Sequence, residues 1–557
     1  MKRLCSLFLC AAMLGILVPL SGSANAEPNP DYKEVLKEFK ELFKSRKSIK
    51  DRRKAVSRLA RAKDPRGIGE LEKALKRQEK SSGKLRKEWA AEEDEWKEKT
   101  DRLEKGVERR RQRAKERGED SITVNNEEAE WLGSNGNRGK MHSEKARIEK
   151  LYNRVLEEEN FSAYILRNMA KILNSLEGEE FNRQVKKIIS GAKRASKHLK
   201  PAYIKVLGYT KGAEVTAILE RFATKESKPE YIMRALESLG RQNTEAGRDV
   251  LFRFLDDERW QIRSAAVQAL AFYKDEVVVE RLIQQAGAEE GSVKRRAFQA
   301  LSIIVGDKVK ATIEAWKSWW QSNKADVLER WNRLPKSGLP IVDDLPVVPM
   351  ESEENSGSTS FYGIKTDSKH IIFVVDISGS MRAPEDAPED FKAPIDTART
   401  ELLNALKSLS AADEDERGAA SFNIVTFHTY VETYKEGKMV TATRKNKERA
   451  FKWIEEKVQP EGFTNVFDAL EAAFNVISGS SDKKNMEKGA DTIFLMTDGG
   501  PNRGKFHDPE MIVKEITRIN AERKITIHTI GVGPGHHAPF MQALAANNNG
   551  KYIARAD

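Results

Sequence analysis

Apolar residues follow two different rules along this chain. Up to about residue 333 they recur at helical spacing, and from about residue 369 they come as short unbroken runs. In the first part, "AVSRLARAKDPRGIGEL" (Ala55 to Leu71) and "AVQALAFYKDEVVVERL" (Ala266 to Leu282) share the pattern A-V-x-x-L-A-x-x-K-D, with a leucine closing a second helix. Leu207, Leu239, Leu270 and Leu301 recur about every thirty residues, the period of two short amphipathic helices and a turn. This predicts a helical solenoid, in which each unit buries its apolar face only against its neighbours. Lys76 to Asn160 interrupts it with a highly charged stretch. Leu85, Trp89, Trp96 and Leu103 form one sparse stripe at heptad-compatible spacing, and Ile148, Leu151 and Val155 form another. Breakers at Gly118 and between Gly133 and Gly139 separate the two, so a helical hairpin or coiled-coil arm is expected. Trp316, Trp319 and Trp320, spaced i, i+3, i+4, share a helix face and are predicted to cap the array's core.

The unbroken runs are "HIIFVVD", "SFNIVTF", "DTIFLMT" and "ITIHTIGVG". Apolar on both faces, they suit strands of a covered parallel sheet. Helical segments lie between and after them, at Pro394 to Leu409, Lys447 to Lys457, Val466 to Ile477 and Pro509 to Glu522, which predicts a doubly wound α/β (Rossmann-like) domain. Between the two parts, Leu334 to Ser368 is rich in proline, acids, serine and glycine without periodicity, and reads as a linker.

The first residues add an address. Lys2 and Arg3, an apolar run to Leu20 and the ending Ala24-Asn25-Ala26 form a secretory signal peptide, 1–26. Both cysteines, Cys5 and Cys10, lie within it, so the mature chain is expected to fold without disulfides. No later run approaches the about 18 apolar residues that span a bilayer, so no transmembrane segment is expected in the mature chain. The expected location is periplasmic or extracellular. The organisation is then 27–75, a first repeat region; 76–160, the arm; 161–333, helical repeats; 334–368, the linker; and 369–557, the α/β domain.

Charge narrows the partners. Of the 557 residues 33% are charged, with net charge +11, but Lys+Arg 97 and Asp+Glu 86 are interspersed. Such a distribution suits solvated helix faces rather than a nucleic-acid groove. The basic run Arg109 to Arg111 is read the same way. No feature specifies an oligomeric state.

In a doubly wound sheet, ligands bind beyond the carboxyl ends of the strands. Asp376 ends the first strand, with Ser378 and Ser380 in the loop beyond; Asp498 ends "TIFLMT"; Thr464 lies just before a helix in "EGFTNVFDAL". Five oxygen-bearing side chains from three loops would converge, and oxygen without His or Cys selects a hard cation such as Mg²⁺. Past Met381, Glu385, Asp386, Glu389 and Asp390 form an acidic insertion near that face, read as a solvated loop.

"DISGSM", "GFTNVFDAL" and "TDGGP", in this order, resemble the von Willebrand factor type A domain and its metal-ion-dependent adhesion site. "DDERWQIRSAAVQAL" and "GSVKRRAFQAL", where Arg263 and Arg295 or Arg296 precede small residues, resemble HEAT-like repeats. The combination looks similar to exported bacterial proteins that join the two. The first resemblance implies hydroxyl ligands at Ser378, Ser380 and Thr464, with Asp376 and Asp498 binding Mg²⁺ (or Mn²⁺ or Ca²⁺) directly or through water. It also implies an acidic side chain of a protein partner completing the coordination.

The expected function is therefore a non-enzymatic, metal-dependent protein-binding or adhesion protein displayed on a helical scaffold. The alternatives are a metal-assisted hydrolase, for which His536 and His537 are the candidate bases, and a partner subunit of an AAA-type ATPase. Export separates the last from the first. Mass spectrometry of the exported protein should find an amino terminus at Glu27, and one at Met1 would refute the signal peptide.

Overall fold

The computed structural model describes residues 31–43, 47–117, 137–195, 199–210, 212–226, 228–333, 359–383, 392–409, 419–478, 489–533 and 535–555. The expected signal peptide, most of the linker and the acidic insertion at Glu385, Asp386, Glu389 and Asp390 lie outside these residues.

Helices α1 (Tyr32–Leu42) and α2 (Ile49–Arg61) open the chain. Ser48 starts α2, its Oγ accepting from Asp51 N at 3.1 Å, and Ala55, Val56 and Leu59 turn inward. The next two helices run straight out of this first unit: α3 spans Arg66–Glu116 and α4 spans Asn137–Leu173. The arm thus has no break at its expected boundaries, 75 and 160. No proline falls within α3 or α4, and an interior glycine such as Gly83 costs a helix only about 1 kcal/mol, so nothing stops either. The stripe residues Trp89, Trp96, Ile148, Leu151 and Val155 are buried along this pair. Lys145, also buried there, donates to both Glu93 oxygens at 2.9 Å and lies 4.1 Å from the Trp96 ring centroid.

The array continues as α5 (Gly178–Arg194), α6 (Lys200–Leu207), α7 (Ala213–Lys225), α8 (Pro229–Gln242), α9 (Glu245–Phe254), α10 (Trp260–Leu270), α11 (Glu276–Ala288), α12 (Gly291–Val305) and α13 (Ile313–Asn332). The periodic leucines Leu207, Leu239, Leu270 and Leu301 fall on α6, α8, α10 and α12 and are fully buried. On α13, Trp316 and Trp320 are buried and Trp319 is half-buried, its ring edge-on to Trp316 at 5.8 Å.

The α/β part begins earlier than expected. Strands β1 (Thr359–Phe361) and β2 (Ile364–Thr366) form an antiparallel hairpin within the segment read as linker. Its Phe361, Tyr362 and Ile364 join the core on one face of the main sheet, which holds the hairpin down despite its two short strands. The main sheet has seven strands: β3 (His370–Asp376), β4 (Ser421–Phe427), β5 (Val431–Thr433), β6 (Val440–Thr441), β7 (Thr492–Thr497), β8 (Thr526–Val532) and β9 (Tyr552–Arg555). Its order is β5-β4-β3-β7-β8-β9, with β6 also on β4. The pairs β4-β3, β3-β7, β7-β8 and β8-β9 are parallel; β5 and β6 run antiparallel to β4. Helices α14 (Pro394–Ser408), α15 (Arg444–Lys457), α16 (Val466–Ser478), α17 (Pro509–Arg523) and α18 (Ala538–Asn547) complete it. Along β3, Ile371, Phe373 and Val375 face one core, while Ile372 and Val374 face a second that continues into the helical array.

The array docks on the edge of the sheet where the strands begin. Gly291 N donates to Asp367 Oδ1 at 3.0 Å and Ser292 N to Asp491 Oδ2 at 3.2 Å, so two free amides at the start of α12 are satisfied by carboxylates of the other unit. Gly291 has φ +55°, and a Cβ there would collide with the Asp491 carboxylate. Arg295 Nε and Arg296 Nη2 donate to Asn549 O and Lys524 O at 2.8 and 2.9 Å.

Lys524 itself is half-buried in this junction, its Nζ donating to Gln268 Oε1 at 2.8 Å. Burial, then Arg296 and Arg234, push its ammonium down to about 7 from the ordinary 10.5, against the opposing pull of Glu237 and Glu522. Between those values the unfolded chain holds the proton and the folded one does not, so this group makes stability rise with pH across that window. In thermal melts from about pH 7 to about pH 10, wild type should gain on Lys524→Met; a pH-independent gap would show that the ammonium keeps its proton.

Candidate metal centre

Strands β3 and β7 are neighbours, with Val375 opposite Met496, so Asp376 and the pair Thr497-Asp498 leave the sheet side by side. The chain crosses from β3 to β4 on one flank and later places β7 on the other, which makes this the point where strand order reverses. Asp376 is fully buried, with Oδ1 accepting from Ser378 N at 2.7 Å and Oδ2 accepting from Thr497 Oγ1 at 2.5 Å. Ser378 Oγ lies 3.1 Å from Ser380 Oγ, which donates to Asp498 Oδ1 at 2.9 Å.

Thr464 arrives from a separate loop. Gly462, at φ +69°, turns that loop so that its carbonyl accepts from Gly379 N at 3.1 Å, tying it to the serine loop. Thr464 N donates to Asn502 Oδ1 at 2.8 Å, tying it to the loop after β7. A methyl group on Gly499 would lie 3.7 Å from Thr464 Oγ1 and 4.0 Å from Ser380 Oγ, so both hydroxyls face the same backbone. Asp376, Ser378, Ser380, Thr464 and Asp498 are therefore gathered at one place.

Burial, and then the like charge of Asp498, push the Asp376 carboxyl up to about 7, against the hydrogen bonds from Thr497 and Ser378. Burial also raises Asp498. Two sunken carboxylates that repel one another, beside hydroxyl oxygens, form a donor set short of positive charge. A divalent hard cation fits it, and these five side chains would hold one.

Several contributors carried no signal in the sequence pattern. Thr497 supports Asp376, and Asn502 supports Thr464; each acts by a hydrogen bond to another loop, which no local pattern marks. Among the described residues, the exposed large apolar side chains are Val277, Tyr430 and Phe463. Phe463 directly precedes Thr464, and its N donates at 3.1 Å to Thr429 Oγ1, next to Tyr430, so two of the three stand beside the centre. The candidate bases are engaged elsewhere: His536 bonds Gly533 O and Tyr552 OH, both at 2.6 Å, and His537 Nδ1 caps α18 through Phe540 N.

Residues 369–553 match the family model of the von Willebrand factor type A domain, and residues 223–302 match that of HEAT repeats. Among curated proteins, inter-alpha-trypsin inhibitor heavy chain H3 of Mesocricetus auratus is 28% identical over 189 residues, 34% of this chain and 19% of that protein. Heavy chain H4 of Homo sapiens is 27% identical over 258 residues, 43% of this chain and 26% of that protein. The chain thus spans between a fifth and about a quarter of the length of these relatives. Similar solved structures include a von Willebrand factor type A protein from Catenulispora acidiphila, with TM-score 0.27, 17% identity and coverage of 35% of this chain and 40% of that one. Another is proximal thread matrix protein 1 from the mussel byssus, solved with a zinc-occupied MIDAS motif, at TM-score 0.26, 20% identity and coverage of 34% and 42%.

If the five side chains hold a cation, Asp376→Ala should weaken Mg²⁺ and Mn²⁺ binding in calorimetric titration by about 100-fold or more, and Thr464→Ala by about tenfold. Asp376→Ala should still fold and melt cooperatively, because relief of a buried, repelled carboxyl offsets the loss of its hydrogen bonds from Ser378 and Thr497. Equal metal affinity in wild type and Asp376→Ala would refute the centre.

Proposed function

We propose that the von Willebrand factor type A domain this chain carries at residues 369–553, presented on HEAT repeats, is a divalent-cation-dependent protein-binding module of an exported, non-enzymatic adhesion protein. The observation that carries this reading is the convergence of Asp376 and Asp498, two buried carboxyls that repel one another, with three hydroxyl side chains beyond neighbouring parallel strands. With mainly neutral hydroxyl ligands the cation, Mg²⁺ or its substitutes Mn²⁺ and Ca²⁺, keeps residual positive charge. An acidic side chain of the partner supplies the missing negative oxygen. Exposed Phe463 and Tyr430 beside the centre favour a partner whose acidic residue has apolar neighbours.

The engagement of His536 and His537 in local hydrogen bonds weighs against the hydrolase reading. The Ala24-Asn25-Ala26 ending supports export, and no described helix is long and apolar enough to cross a membrane. The test is a pull-down from the native envelope or medium with wild type, Asp376→Ala and wild type plus chelator. A partner retained by wild type with Mg²⁺ and lost in the other two supports the reading. Retention indifferent to chelator, or substrate turnover that follows metal occupancy, overturns it.

A further inference from the structure

The segment that follows Asp498 bonds at both ends, to two different parts of the molecule. Near its start it holds Thr464: Asn502 Oδ1 accepts from Thr464 N at 2.8 Å, while Asn502 N and Arg503 N donate to Thr464 O at 3.0 and 3.2 Å. Both polar groups of the Thr464 backbone are thereby fixed by this one loop. Toward its end, Lys505 N donates to Asp468 Oδ1 at 3.1 Å, and the chain then enters the arm.

Phe506 is the anchor. It is 1% exposed, its ring parallel to Trp89 of α3 at 6.5 Å, 5.0 Å from Tyr152 of α4, and edge-on to Phe467 of α16 at 4.6 Å. The next residue, His507, donates its backbone N–H to Glu149 Oε1 of α4 at 2.7 Å and lies edge-on to Trp96 of α3 at 5.7 Å. At the same level the Lys145 to Glu93 pair fixes the two arm helices to one another. Helix α17 begins immediately afterwards at Pro509, so there is no slack on the far side of the anchor.

Resting on the reading of the site as a cation centre, we propose that Trp89, Tyr152 and Glu149 of the arm are positioning residues for it. They act through Phe506 and His507 on the loop that carries Asp498 and fixes Thr464. Packed side chains transmit a displacement rather than absorb it, because an interior at crystal-like density has no free volume for one end to move alone. A change in how the arm's helices meet at Trp89 therefore reaches two cation ligands from different loops. By linkage, whatever binds the arm and shifts this contact changes cation affinity, and cation occupancy changes affinity for that partner by the same factor.

The experiment uses the full-length protein and two readouts. In calorimetric titration with Mn²⁺, Trp89→Ala and Glu149→Ala should each weaken binding by about 3- to 30-fold, and Trp89→Phe should restore most of the loss. Ser292→Ala, at the opposite edge of the sheet, should leave it unchanged. In amide hydrogen exchange without metal, both alanine variants should speed exchange at Thr464, Asn502 and Arg503 while the amides of β3 stay protected. Glu149→Ala guards against misfolding, since it removes one acceptor from a half-buried surface and leaves no core cavity. Faster exchange in a protein whose wild type takes up no Mn²⁺ would sustain the positioning role and overturn the cation reading. Wild-type exchange at Thr464 in both alanine variants, or Mn²⁺ affinity lost equally in Ser292→Ala, would overturn the proposal.

Discussion

The junction between α12 and the sheet governs the arrangement of everything else. The first amides of a helix have no partner within it, and here two of them are met by Asp367 and Asp491, from just before β3 and β7. A carboxylate at a helix start is favoured by the aligned peptide dipoles as well as by the hydrogen bonds, so the contact is directional. It fixes which edge of the sheet faces the array. The beginnings of the parallel strands lie against the repeats, and their ends, with Asp376 and Asp498, emerge on the other side.

Against that fixed edge the arm takes a defined role. Because α3 and α4 continue the first repeat without interruption, their direction is set by the array and not by a flexible joint. They reach Phe506 and His507, in the segment between the end of β7 and α17. The α/β domain is thus held at both ends, by carboxylates on helix amides at one and by an aromatic cluster at the other. Both contacts draw charged side chains out of water, Lys524 half-buried below and Lys145 fully buried in the arm.

At the centre itself the physical theme is deficit. Asp376 sits among apolar strand residues beside a like charge, and its hydrogen bonds from Thr497 and Ser378 offset only part of the cost. Such an arrangement would gain from a bound cation. The aromatic side chains of Phe463 and Tyr430 stand exposed beside it, and among the described residues the other large apolar side chain so exposed is Val277.

Much of this was written in local patterns. The buried runs "HIIFVVD" and "TIFLMT" became adjacent parallel strands because apolar residues at every position require cover on both faces. The leucines at a period of about thirty became the array's core because each repeat buries its apolar face only against the next. Asp376, Ser378, Ser380, Thr464 and Asp498 were legible as candidates because oxygen-bearing side chains at and beyond the ends of apolar strands have no part in an apolar core. What the sequence did not show depends on partners distant along the chain. The hairpin at Thr359–Thr366 left no pattern because its strands are three residues each and are held by distant groups, the sheet face beneath Phe361, Glu401 and Arg555. Phe506 reads as one aromatic in a polar turn until Trp89 and Tyr152, more than three hundred residues earlier, enclose it. Local sequence determined the elements and the candidate site residues through periodicity and residue chemistry. Tertiary structure alone decided how the arm meets the centre, because that contact pairs the arm's stripe with a turn that carries no repeating pattern.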